Sequence, residues 1–519
     1  PQWERNTGTG FADVPGATSP SYTTGVLGLG DSGDTFRCRW SNSEGDATSA
    51  EATLTVLEAV SAMSLIGAIN VEGATEAYSA MFYTAPFAVI EQDLSSERLA
   101  WSAPSNGTLR DLLVHIDNNT DGDLTFCWFE DDSGTPAETG LCVTIPPTTG
   151  PEWFRAGPLL EHTVLENDLL WLGNSGTTAT SGTYTPHAIY SVFIPDDAVC
   201  YSVLGADSPG STNNNTDDAP FYLNAFGERD GADQAEYEKT IFIDGSIVHP
   251  SMSTGTVART TDTSAEVTID GVTQAFSLNF PAGSSTNIIV VDEVNEVPVS
   301  AGQAYGFISR NGTGASEAFN VEKYVSSLRS ISGQFMMTAA NNGAGYTVLD
   351  GNTYFINPMA YLSVGFVATY DQAALVMPDL FGIDLDEMVI EVGQSNQTTP
   401  TTFTLYKNGE ATSVSTVISS GTTGLVPVDA SSVQLNSLDT VAIQISAAAG
   451  AGQLRLKQIG ITGRPFASPP ASTQVREMYI KDNGSFVVSV PNVIVNGQWQ
   501  EPTCYSLSAG QWVLVNDPG

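Results

Sequence analysis

Among the residues that could do chemistry, one run stands out: Asp117-Asn118-Asn119-Thr120-Asp121-Gly122-Asp123. Its D-x-N-x-D-G order is that of loops whose alternating oxygens converge on a hard cation such as calcium, glycine permitting the tight turn. Asp117, Asn119, Asp121 and Asp123 are the ligands this reading assigns. The bidentate glutamate expected at the twelfth loop position is replaced by Trp128. The same residues also make a polar hairpin tip that needs no ion, and the pattern favours that simpler reading. Asn213–Asp218 (NNNTDD) is a lesser candidate and reads as a plain loop. No pattern for any other cofactor occurs.

Catalytic patterns are missing as well. Four histidines are present, His115, His162, His187 and His249, and none lies in G-x-S-x-G or H-E-x-x-H. Carboxylates abound, yet nothing singles out two of them as a glycosidase pair. No catalytic residue is assigned. Trp101, Trp128, Trp153 and Trp171 fall close together and could offer a platform for sugar rings, though core packing explains them more simply. Cys38, Cys127, Cys142, Cys200 and Cys504 fit no zinc spacing. Cys127 and Cys142 flank one hairpin and could bridge, but two buried free thiols are the plainer expectation.

The elements that must position these residues repeat. Val143–Gly150 (VTIPPTTG), Leu278–Ser285 (LNFPAGSS) and Val417–Gly424 (VISSGTTG) each run an alternating strand into a small-residue turn. Ile145, Phe280 and Ile418 stand 135 and 138 residues apart. A turn glycine precedes each (Gly134, Gly271, Gly409), and an alternating strand follows each, from His162, Val297 and Val433. Three landmarks holding one period imply three tandem copies of one domain, at 62–196, 197–329 and 330–463. Short period-2 strands with turn signals between them argue a β-sandwich of jelly-roll type, and a few helical turns are expected near Asp233–Lys239 and Ala318–Ser326. The fold class is all-β.

Charge narrows the partners. Lys and Arg number 18 against 58 Asp and Glu, a net charge of −40. That field repels phosphate backbones and disfavours nucleic acid. No run approaches the ~18 apolar residues of a helical membrane span, so no membrane insertion is expected.

The flanks carry resemblances. In residues 1–58, Trp3 is followed by DSGDTFRC at Asp31–Cys38 and SNSEGDATSAEATLTV at Ser41–Val56. This resembles the second half of a bacterial or phage immunoglobulin-like domain, with Trp3 on strand C and Cys38 on strand F. Phe36 takes the place of the tyrosine corner, and the aspartate lies one residue farther from the cysteine than in the vertebrate pattern. Strands A and B are absent, so the sequence reads as a piece of a longer polypeptide. After a Pro-rich linker (Gly463–Ser472), Gly484-Ser-Phe486, Gly497-Gln-Trp499 and Gly510-Gln-Trp512 recur every 13 residues within 473–519. They read as a small β-meander with an aromatic ladder, and are similar to repeats at the ends of phage tail and fibre proteins.

Together these features resemble an exposed component of a phage particle: a head fibre, a capsid decoration or a tail fibre. The resemblance implies a non-enzymatic structural or attachment protein on the virion surface, its sandwiches strung out as a spacer. Its implied partners are other virion proteins and further copies of itself, with host-surface carbohydrate as another candidate. A bacterial surface adhesin or filament subunit uses the same modules, and a secreted carbohydrate-active enzyme with accessory domains is a third reading.

Overall fold

A computed structural model describes residues 1–19, 33–42, 45–54, 62–69, 101–131, 137–156, 160–213, 238–254, 262–281, 288–311, 319–340, 346–348, 351–359, 367–378, 381–447 and 452–467, with short pieces elsewhere. The chain forms two compact units, Val60–Pro469 and Pro1–Ala59 with Pro470–Gly519. It is all-β.

The larger unit contains one topology three times. Eight of the eleven strands along each stretch build the shared framework. In the first they are Ser64–Ile69, Tyr83–Thr84, Gly107–Thr120, Leu124–Asp131, Ala137–Ile145, Glu152–Arg155, Leu169–Thr177 and Gly182–Pro195. In the second they are Tyr201–Asn213, Phe221–Leu223, Gly245–Thr254, Thr263–Ile269, Val272–Phe280, Ile288–Val291, Ala304–Asn311 and Phe319–Ser330. In the third they are Phe335–Ala340, Thr353–Ile356, Phe381–Ser395, Thr401–Lys407, Glu410–Ile418, Gly424–Asp429, Thr440–Ala447 and Leu454–Ala467. Each time one sheet has the order 6-3-8-1 and the other 5-4-7-2. That antiparallel arrangement is a jelly roll, two sheets face to face, each built on a path of four strands to which shorter strands pair. Phe319–Ser330 is therefore strand where helical turns were expected. Its local Glu-Lys helix signal loses to pairing on both sides, with Tyr201–Asn213 and Gly245–Thr254.

The local chemistry of the fourth and fifth strands explains the repeated landmarks. Ile145, Phe280 and Ile418 each end a fifth strand and are buried. Asp270-Gly271 and Asn408-Gly409 all have positive φ, as a two-residue hairpin turn requires. In every hairpin the register shifts midway, after Cys127, Glu266 and Thr404. In the first and third rolls a threonine holds the bulge. Thr139 Oγ1 donates to Trp128 O and accepts from Leu141 N, and Thr412 Oγ1 does the same with Leu405 O and Val414 N.

The three rolls are interlocked, which corrects the expectation of a spacer. Just before the third strand of each roll lies a two-residue strand: Trp101–Ser102, Lys239–Thr240 or Leu375–Val376. Each of these rests on the eighth strand of another roll. Trp101 Nε1 donates to Ser327 Oγ at 3.2 Å. Thr240 exchanges two hydrogen bonds with the Gln458 side chain. Tyr190 Oη donates to Val376 O at 2.5 Å and accepts from Val376 N at 3.1 Å. First sits on second, second on third, third on first: the junctions close a ring. First strands also meet, since Ser64 Oγ accepts from Tyr201 N and Ser202 Oγ from Met336 N. Val248 and Val325 of the second roll pack into the first roll's core. Gly460 is required at the next junction, because a Cβ there would lie 2.7 Å from the Phe242 ring and from Met337 O.

In the smaller unit the sheet order is Phe11–Asp13, Gln2–Asn6, Thr35–Asn42, Gly45–Thr48. Trp3 lies opposite Cys38, and Glu4 is buried between Arg37 and Arg39. Arg5 pairs with Asp31 and Asp34. Toward the C-terminus three hairpins form, but Val493–Val495 with Gln498–Gln500 stands as its own two-stranded sheet. The expected single meander is thus divided. Its aromatic ladder lies outside the described residues.

Candidate functional site

The acidic run spans the end of the first roll's third strand and the turn after it, and alternation decides what its strand side chains can do. Asn118 and Thr120 point inward and are buried. Asn118 Nδ2 donates to Ile145 O at 3.1 Å and Gly122 O at 3.3 Å, while its Oδ1 accepts from Thr120 N at 3.2 Å. Asp117 and Asn119 share the opposite face, two residues apart on an extended strand, so their side chains run parallel. Asp121 turns elsewhere. Its carboxylate accepts from Thr180 N (2.6 Å), Thr180 Oγ1 (2.7 Å), Ser181 N (2.9 Å) and Ser181 Oγ (3.0 Å). These bonds, the Thr180 hydroxyl first, pull its pKa well below the usual carboxylate range. Gly122 is needed because the backbone of Thr178 and Ala179 passes 2.6–2.7 Å from where a Cβ would stand.

Asp117, Asp121 and Asp123 consequently do not gather. Among the described residues, the one group of three acidic, cysteine or histidine side chains converging within 4.8 Å is Cys127, Glu138 and Cys142. The run works as a knot that ties the tip between strands three and four to the loop before strand eight. Of the lesser candidate, residues 214–218 lie outside the described residues.

Cys127 and Cys142 face each other across the hairpin, Cα atoms 4.1 Å apart, and are joined by a disulfide. This overturns the expectation of free thiols. Directly opposed residues of an antiparallel pair have the spacing a bridge needs. Cys200 is a free buried thiol at the meeting of three segments, donating to Gly333 O, and burial pushes its pKa up to about 11.

The tryptophans divide decisively. Trp101, Trp128 and Trp171 are fully buried, and Trp128 Nε1 donates to Ser191 Oγ at 2.7 Å. They leave no platform for sugars. Trp153 is half-buried and stacks on His115, ring centroids 4.6 Å apart and planes 9° apart. Burial, then the charge of His187, pushes the His115 pKa down to about 3. His162 Nε2 lies 2.7 Å from Glu130 Oε2, and burial lowers its pKa too.

One polar cluster was missed by sequence reasoning. The third strand breaks register between Arg110 and Leu113, placing Asp111 in a bulge with φ 53°. Asp111 is fully buried, pairs with Arg155 at 2.9 Å and lies near Tyr190. Its signal was present: LRDLLVHI doubles a polar and then an apolar residue, shifting the alternation by one.

No family model matches the sequence, and no curated protein matches it. Among solved structures, it is similar at 8% identity to one of the triple jelly roll fold and turret assembly in an archaeal virus, over 78% of this chain and 91% of that one, with TM-score 0.18. A structure of Sulfolobus turreted icosahedral virus is 9% identical over 76% of this chain and 91% of that one, TM-score 0.17. Dimeric latent PorU from Porphyromonas gingivalis is 8% identical over 69% and 33%, TM-score 0.19.

Proposed function

We propose that this chain is a structural or attachment component displayed on a bacteriophage virion, and that it performs no catalysis. The observation that carries the reading is the ring of three jelly rolls. Its buried cores are apolar, and the acidic run that most suggested a ligand is engaged in a turn, Asp121 accepting from Thr180 and Ser181. Such a unit suits a structural body. The net charge of −40 keeps exposed bodies of this kind apart and dissolved. The immunoglobulin-like resemblance at residues 1–58 and the 13-residue repeat toward the C-terminus suit modules that attach such a body to other virion proteins and to further copies.

Labelling purified particles with antibodies raised against the whole chain tests the placement, and a screen of the purified chain on polysaccharides tests the chemistry. Labelled particles and unchanged polysaccharides are expected. A soluble monomer that shortens a polysaccharide would overturn the reading, and label confined to bacterial envelopes would assign the chain to the adhesins.

A further inference from the structure

The third strands of the rolls are built alike but charged differently. On the third strand of each roll one residue opens a bulge at the same place: Asp111, His249 and Asp386. Asp111 pairs with Arg155, and Asp386 with Arg464 at 2.7 Å, so both are held by a cation at neutral pH. His249 alone is an imidazole. It sits between the first and second rolls, beside Val248, which packs into the first roll's core. It is 7% exposed and holds φ 49°. Its Nε2 is 3.7 Å from Glu166 Oε1 on the turn before the first roll's seventh strand. Its Nδ1 is buried without a hydrogen-bond partner.

We propose that His249 is an acid-sensitive release at the junction between the first and second rolls, loosening the ring when it takes up a proton. The physics is local. In the neutral ring one unpartnered nitrogen is a modest cost. In the protonated ring both nitrogens must donate, and the buried Nδ1–H then carries positive charge with no acceptor. The carboxylates that face it are Glu166 of the first roll and Asp292 and Glu293 of the loop after the second roll's sixth strand. They oppose the effect, but Asp292 Oδ1 already accepts from Val294 N and Asn295 N. Burial outweighs them, and the pKa lies below its ordinary value. The closed junction thus binds fewer protons than the open one. Closure is complete above the ordinary histidine pKa of about 6.5 and weakens as pH falls below it.

Hydrogen exchange on the full chain reads the junction directly, once intrinsic rates are corrected for pH. Amides of residues 245–252 and 324–328 should open up to about tenfold more often per pH unit below 6.5, the slope of one linked proton. His249→Asn should remove that slope, leaving the rest of the exchange map unchanged. Glu166→Gln, on an exposed turn, should keep the slope and extend it to lower pH. A junction whose exchange does not change between pH 7.5 and 5, or one that opens equally in His249→Asn, would overturn the proposal. Should His249→Asn fail to fold, the Glu166→Gln extension decides: its absence overturns the proposal equally.

Discussion

At the scale of single residues, the acidic run of the first roll is fastened to its neighbours. Asp121 is the clearest case, with four donors from Thr180 and Ser181 on one carboxylate. Asp121→Ala should lower the melting midpoint, while added calcium or chelator leaves the wild-type midpoint unchanged. A calcium-dependent rise that disappears in the variant would restore the cation reading. His115 supplies a pH prediction whose sign can be worked out. Its pKa falls from about 6.5 unfolded to about 3 folded, so its contribution is complete above 6.5 and declines as pH drops toward 3. Across that window the unfolding free energy should carry a slope approaching about 1.4 kcal/mol per pH unit from this group. His115→Phe should flatten the pH dependence of global denaturant unfolding. A parallel curve would show that the stacked imidazole titrates normally.

Among the elements, the hairpin of strands four and five decides most. In the first roll it is closed by Cys127–Cys142, 15 residues apart. Chain-entropy reasoning gives a loop of this length about 3 kcal/mol of stabilisation. Reduction, or Cys142→Ser, should lower the denaturation free energy of the larger unit by about 2–4 kcal/mol, and equal midpoints with and without reductant would contradict this. The sequence made such hairpins legible because their information is local. Alternation ending at Ile145, Phe280 and Ile418 and the positive-φ pairs Asp270-Gly271 and Asn408-Gly409 can be read from a few neighbouring letters. What could not be read is set by distant partners. The bridge depended on register across the hairpin. Trp101 and Trp171 could be assigned to core or to a sugar platform only once the layers were known. The Asp117–Asp123 run showed its composition but not that Thr180 and Ser181 would return to it some 60 residues later.

For the larger unit as a whole, the decisive information is that three rolls close on one another, and this was least legible of all. Each junction joins a two-residue strand to residues 186 to 226 positions away, and the contacts share a place in the fold while differing in chemistry: an indole on a serine, a glutamine on a main chain, a tyrosine on a main chain. The closing contact is the most exacting, because the Tyr190 hydroxyl satisfies both N–H and C=O of Val376 across 186 residues of sequence. Tyr190→Phe removes one oxygen, keeps the ring's packing beside Trp153, and strands two buried main-chain groups. Leaving such groups unpaired costs roughly 1–3 kcal/mol each, less whatever water reaches them. The expected outcome is a comparable drop in unfolding free energy, with faster exchange at Val376 and at Tyr190's own strand and little change between the first and second rolls. If the rolls behaved as beads on a string, the loss would stay within the third roll and the first would unfold as before. Measuring the two rolls separately by exchange therefore tests the ring itself. An unaltered first roll in Tyr190→Phe would mean that closure is incidental to the fold.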